Sequence, residues 1–241
     1  MENQPPFGLT LLVDKPLTWT SFDLVNKLRY TAKHATGRKK IKVGHAGTLD
    51  PLATGLMLIC VGSHTKTIND LTGMDKSYDG TFLLGSTTPS YDLETEIDHR
   101  FDLPNQDIEE LKLAARQFLG DQNQVPPIFS AKKIDGQKAY DLARKGKEVV
   151  MKPNPIHISE FEIEADNFPE IAFKLRCSKG TYVRSLAFDY GKAVNSGAHL
   201  TKLRRTRIGE FLLENALSVE QAMEAIKDGF QKYLDSIAVK S

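Results

Sequence analysis

Between Gly44 and Leu56 the chain reads GHAGTLDPLATGL, and it runs straight on into the apolar stretch LMLICV. Three glycines and a proline in so short a span describe a tightly shaped loop. The run from Leu56 to Val61 is what a buried strand needs. A chain with this pair of features must build a core around that strand and hold the loop at its entrance. The spacing is neither that of a phosphate loop, G-x-x-x-x-G-K-[ST], nor that of a dinucleotide fingerprint, G-x-G-x-x-G. Asp50 is the one carboxylate in the loop, and Pro51 biases it toward extended backbone that holds its side chain out. Asp-Pro is just as common at turns and helix caps, so the pattern by itself assigns Asp50 no chemistry. His45 reads equally well as a turn histidine or a core hydrogen-bonder.

The flanking sequence predicts a strand over Leu9–Val13. A helix follows, capped by Thr20 with Asp23 at its third position. Phe22, Val25 and Leu28 mark its buried face, and Thr31–Lys42 reads as a polar loop. Further strands are expected at Tyr78–Leu84, near Arg204–Phe211, and once or twice between Val149 and Glu164. Ile171, Phe173, Leu175 and Cys177 alternate with more polar neighbours, the mark of a half-buried strand. Helices are expected at Asp107–Leu119, Ala139–Arg144 and Tyr182–Val194, and after the Ser218/Gln221 cap. Strands and helices mix without strict βαβ alternation. The expected class is α+β, a mainly antiparallel mixed sheet with flanking helices.

The two cysteines, Cys60 and Cys177, sit in apolar or alternating runs. They read as buried reduced thiols, not as a metal or redox site. No window holds ~18 uninterrupted apolar residues, the signature of a membrane span. The start, MENQPPFGLTLLVDK, lacks the basic and apolar regions of a signal peptide. A cytoplasmic protein is expected.

The formal net charge is +1, which taken alone points away from a polyanionic partner. Its distribution is uneven. Leu24–Leu49 holds seven Lys or Arg and no acid, and Lys174–Arg207 holds nine bases and one acid. Ser130–Lys152 holds seven bases and three acids. Acidic segments elsewhere balance them. Three solvated faces, or one positive groove if they converge, fit this pattern equally.

Two more segments concentrate reactive residue types. In SKGTYVR a strand stops at Gly180, and Tyr182 and Arg184 open the next helix. Arg184 is either a surface base or the fixed partner of a carboxylate. Lys76-Ser77-Tyr78 places Tyr78 at the start of a strand.

GHAGTLDPLATGLMLICVG resembles the signature of the bacterial tRNA pseudouridine synthase B (TruB) family. Supporting segments follow in the family's order: VDKP then TS, KSY, VPPIFSAKKIDGQKAYDLARKG, CSKGTYVRSLAFDYG and HLTKLRRTRIGEF. The likeness runs from Leu9 to Phe211. It implies one catalytic domain of the pseudouridine synthase fold over residues 1–241. Residues 125–151 would be an RNA-gripping insertion, and 212–241 a short C-terminal helical extension without room for a C-terminal PUA domain. The implied reaction converts the T-loop uridine of tRNA (position 55) to pseudouridine by base flipping.

By position, the resemblance makes Asp50 the nucleophile, Tyr78 the ring that stacks on the base and Arg184 the partner of the carboxylate. Tyr182 and Leu203 would line the pocket, and His45 would fill the space left by the extruded base. Lys15, Lys132, Arg204 and Arg205 are expected to contact RNA. No metal, cofactor or obligatory protein partner is implied, and a monomer is expected. The chain departs from the family at Thr18, where Gly is usual, and at Phe129, where Tyr is usual. Two other readings are an RNA-binding or tRNA-folding protein without catalysis and a guide-RNA-dependent subunit. The intact Asp50, Tyr78 and Arg184 set argues against the first, and the lack of a PUA domain against the second.

Overall fold

A computed structural model describes residues 6–130, 133–134, 137–138 and 151–238. In chain order the elements are β1 (Gly8–Lys15), α1 (Ser21–Thr36), β2 (Val43–His45), β3 (Ala53–Gly62), α2 (Ile68–Gly73) and β4 (Lys76–Leu84). Then come β5 (Ser86–Thr87), β6 (His99–Arg100), α3 (Ile108–Arg116), β7 (Gly120–Gln124), β8 (Lys133–Ile134) and β9 (Gln137–Lys138). The last are β10 (Asn154–Asn167), β11 (Glu170–Cys177), α4 (Val183–Ala193), β12 (Ala198–Ile208), β13 (Phe211–Leu212) and α5 (Val219–Ala238). The mix is α+β, as the pattern predicts. Among the described residues no helix is long and apolar enough to cross a membrane.

The chain divides into two compact units: Met1–Lys76 with Arg204–Ser241, and Ser77–Leu203. Neither boundary carries a linker. One falls inside β4 and the other inside β12, so composition gives no sign of them.

In the first unit β3 pairs antiparallel with β1, from Gly8↔Gly62 to Lys15↔Gly55. β2 also pairs with β3, β12 runs on its other side, and β13 closes onto the end of β12. From Leu56 to Val61 every residue of β3 is fully buried, which is why the sequence shows a continuous apolar run and not an alternation. Leu56, Leu58 and Cys60 on one face pack with Ala46, Leu71 and Ile208. Thr20 and Asp23 form a reciprocal capping box at the start of α1. The predicted loop from Thr31 is helix up to Thr36, with Thr31 and Ala32 buried. Phe22, expected inside, is 61% exposed, and Leu24 takes its place in the core. Ser218 and Gln221 cap α5 in the same reciprocal way.

In the second unit the strand order is β4-β11-β10-β7, with the first half of β12 beside β4. The region between Val149 and Glu164 gives one long strand. Ile156 and Ile158 face inward, then Phe161 and Ile163. The period of two breaks because the register with β11 shifts between Ile158 and Glu160, and that extra residue keeps both pairs on the core face. Ile171, Phe173, Leu175 and Cys177 of β11 are all buried. Phe82, Phe161, Phe173 and Tyr190 form the aromatic centre of this unit, with Phe82 and Tyr190 rings 4.9 Å apart. The strand predicted near Arg204 begins six residues earlier, at Ala198. β8 and β9 form a short antiparallel pair inside the predicted insertion. The helix expected at Ala139–Arg144 lies outside the described residues, as does Lys132.

Candidate active site

The loop that carries Asp50 begins at His45, the last residue of β2, and ends where β3 begins at Ala53. Leu49, just before Asp50, is locked by Ser21 at the start of α1. The Ser21 hydroxyl donates to the Leu49 carbonyl at 3.0 Å and accepts from the Leu49 N–H at 2.9 Å. After it, the Asp50 carbonyl accepts from the Ala53 N–H at 3.1 Å and closes a turn. Asp50 itself is half-buried.

Two buried cations hold this loop. Lys15, at the end of β1, is fully buried, and its ammonium donates to the carbonyls of Pro16 (3.0 Å), Trp19 (2.6 Å) and Pro51 (3.5 Å). Arg205, on β12, is 1% exposed. It donates to the carbonyls of Leu56 (2.8 Å), Gly47 (3.0 Å) and Thr48 (3.5 Å). Buried charges of this kind persist only when their donors are satisfied. Here the acceptors are backbone oxygens of the segments around Asp50.

The glycines explain how the loop fits. Gly55 has φ +107°, and a Cβ there would meet the Arg205 carbonyl at 2.3 Å, so β12 can approach β3 only with no side chain at this position. Gly47 has φ +99°, with the Arg205 guanidinium 3.4 Å from where a Cβ would stand. Thr18 has φ +69°, and its N–H donates to the Pro51 carbonyl at 2.9 Å. The family's usual glycine at this position would adopt that backbone without strain.

Electrostatics follow from burial. Burial lowers Lys15 to about 8. The Asp50 charge opposes that fall, and the Arg205 charge adds to it. His45 is half-buried and also sits below its usual value, first through burial and then through Arg205, with the Gly47 backbone opposing. Its Nδ1 is buried without a hydrogen bond of normal geometry. Burial and the Arg205 charge thus both favour the neutral form of the His45 ring. Arg204, beside Arg205 in sequence, points the other way. It is exposed and pairs with Asp14 at 2.7 Å and with the Thr54 hydroxyl at 3.2 Å.

The first unit thus brings together His45, Asp50, Lys15 and Arg205. Both Lys15 and Arg205, expected on RNA, donate to backbone carbonyls: Arg205 to Gly47, Thr48 and Leu56, and Lys15 to Pro16 and Trp19 as well as to Pro51 of the loop.

In the second unit Tyr78 lies on β4 and is 7% exposed. Leu203 is half-buried on β12. Tyr182 is the N-cap of α4, and its backbone is fixed by a two-way pair with the buried Gln124 side chain. The Tyr182 N–H donates at 2.8 Å and its carbonyl accepts at 3.1 Å. Arg184 is 4% exposed. It donates to the Ser90 carbonyl at 3.1 Å and pairs with Asp92, Nε to carboxylate, at 3.6 Å. Asp92 in turn accepts from the Glu94 N–H at 3.0 Å. Asp92 and Gln124 were not visible as site residues in the sequence. Asp92 lies in an acidic stretch, and no local pattern connects it to Arg184.

Residues 33–183 match the family model described as TruB family pseudouridylate synthase (N terminal domain). Residues 184–238 match that of the tRNA pseudouridylate synthase B C-terminal domain. The chain is 53% identical over 223 residues to tRNA pseudouridine synthase B of Flavobacterium johnsoniae, covering 91% of this chain and 96% of that one. It is 54% identical over 217 residues to the protein of the same name from Phocaeicola vulgatus, covering 90% and 92%. Among solved structures, a Cbf5-Nop10-Gar1 complex contains a chain with the same fold, at a TM-score of 0.65 and 24% identity. That match covers 94% of this chain and 58% of the other. Motif, loop architecture and matches over nearly the whole length agree, and the chain belongs to the TruB family of pseudouridylate synthases.

Proposed function

We propose that this protein is a tRNA pseudouridine synthase that isomerises the T-loop uridine (tRNA position 55), with Asp50 as its nucleophile. The observation that carries this reading is the Asp50 loop, held from two sides by the buried cations Lys15 and Arg205. Its relatives named tRNA pseudouridine synthase B supply the substrate.

The reaction breaks the N1–C1′ bond of uridine and forms a C5–C1′ bond. C5 gives up a proton and N1 gains one, so there is no net oxidation. A base within a folded loop must first leave its stack, at a cost of a few kcal/mol. Stacking on the Tyr78 ring returns about 1–3 kcal/mol. Asp50 bonds transiently to one of the two fragments, and that bond is broken again before pseudouridine is released. Because its loop is already clamped, the carboxylate need not be reorganised as the reaction proceeds. Arg184 is the carboxylate's partner, and Tyr182 and Leu203 form the pocket wall, the roles that follow from the family resemblance. The neutral His45 ring takes the space vacated by the flipped base.

The same reading has the chain act on tRNA alone, as a cytoplasmic monomer. Asp50→Asn should abolish pseudouridine formation on an unmodified tRNA transcript while tRNA binding persists. Chemical mapping of pseudouridine after incubation with purified protein reads both the activity and its position. Turnover by the variant would remove Asp50 from its role. Modification outside the T-loop would overturn the substrate.

A further inference from the structure

We propose that the first unit holds a second RNA contact, a phosphate-binding groove at the far end of the β2–β3 ladder from Asp50. This rests on the tRNA reading above and extends it to a surface outside the catalytic loop. The groove, about 250 Å³, lies between the 38–42 segment and the Gly62–Lys66 turn. Arg38, Lys40, Lys42 and Lys66 line it, and no carboxylate does. All four are exposed, and none has an ion-pair partner among the described residues. The surrounding sequence offers little to neutralise them. From Leu24 to Asn69 there are eight Lys or Arg and one acid, Asp50, which belongs to the catalytic loop.

The groove is built from fixed backbone. The Lys42 carbonyl accepts from the Gly62 N–H at 2.8 Å, and the Ser63 N–H donates to the Phe7 carbonyl at 2.9 Å. Val43 and Val61 are paired on the ladder directly beyond. Four exposed cations side by side repel one another, and a polyanion laid along the groove relieves that repulsion. Successive phosphates of an RNA strand match it, since each is a compact charge that Lys or Arg can meet singly.

Position supports RNA over other polyanions. Lys42 leads directly into β2, and three extended residues, about 10 Å, carry the chain to His45 at the mouth of the Asp50 loop. An RNA with its base at Asp50 has its backbone within reach of the groove. Tyr30, 65% exposed, stands near the end of α1 with its ring 4.2 Å from that of His34, an aromatic face of the kind that nucleobases stack on.

The test is tRNA binding and turnover by the triple variant K40Q/K42Q/K66Q, with K40R/K42R/K66R as the charge-preserving partner. Loss of three phosphate contacts should flatten the slope of log affinity against log salt by about 2–3. KM for tRNA should rise at least tenfold, with the loss falling on KM and not on kcat, and the arginine variant should restore it. An unchanged slope and KM overturn the proposal. So does a fall in kcat with KM unchanged.

Lysine acylation of the wild-type protein gives a readout that does not depend on the variant's folding. Bound tRNA should protect Lys40, Lys42 and Lys66 but not Lys227, an exposed lysine on α5. Equal acylation with and without tRNA overturns the groove. A wild-type protein that protects these lysines yet forms no pseudouridine would sink the proposed reaction and leave the groove standing.

Discussion

Arg205 donates to the Gly47 carbonyl across 3.0 Å, tying strand β12 to the loop that carries Asp50. The same guanidinium reaches the Leu56 carbonyl at 2.8 Å, so one side chain spans the loop from its first glycine to the strand that follows. A planar fork with several donors can do this, and a single ammonium cannot. Arg205→Lys should therefore lower kcat by about 10–100-fold, the penalty for a displaced catalytic group. Arg205→Met should cost about 2–4 kcal/mol in urea unfolding, since it leaves buried carbonyls without donors. Full turnover by the lysine variant would show that the loop holds its shape unaided.

Thr18 occupies a left-handed conformation at φ +69°. A β-branched residue there carries about 1–2 kcal/mol of strain. Glycine removes the strain and returns part of the gain to the more flexible unfolded chain. Thr18→Gly is expected to raise stability by about 1 kcal/mol, seen as a higher urea midpoint with an unchanged slope.

Lys15 gives a pH signature. Burial lowers it from 10.5 in the unfolded chain to about 8 in the folded protein. Between those values the unfolded state binds more protons than the folded one, so this residue makes stability rise with pH. Below pH 8 both states are protonated and the cost of the buried charge is present in full. Lys15→Met removes the rise. The difference between wild type and variant, measured by urea unfolding from pH 7 to 10.5, should shift toward the wild type across that window. A flat difference would mean that Lys15 keeps an ordinary ammonium.

Asp92 pairs with Arg184 at 3.6 Å, and both are buried. Removing one member of a buried pair costs about 3–5 kcal/mol because the other charge is left behind. Asp92→Ala should destabilise the protein by an amount near the lower end, since the Ser90 carbonyl still accepts from Arg184. Asp92→Asn keeps the shape but not the charge. It should lower turnover more than it lowers stability if the pair serves to orient the guanidinium.

What was legible in the sequence was local. The Thr20/Asp23 and Ser218/Gln221 boxes, the β3 apolar run and the β11 alternation each follow from residues within a few positions of one another. Thr31–Thr36 was read as loop because its residues are polar, yet the packing of Thr31 and Ala32 extends the helix across them. Phe22 was read as core from its spacing to Val25 and Leu28, whereas the helical phase turns Leu24 inward and leaves Phe22 outside with Arg29 over its ring. At the site, the motif pointed to Asp50, but the contacts of Lys15 and Arg205 were hidden. A charged residue reads as surface until the carbonyls that gather around it are known, and those of Gly47 and Leu56 lie about 150 residues away from Arg205 along the chain.

The first unit is assembled from two stretches far apart in sequence, Met1–Lys76 and Arg204–Ser241. During synthesis the Asp50 loop is made about 150 residues before Arg205, which donates to it. Until then the Asp50 loop has its Ser21 and Lys15 contacts but not those of Arg205. The set of contacts around Asp50 is thus complete only once β12 has been made.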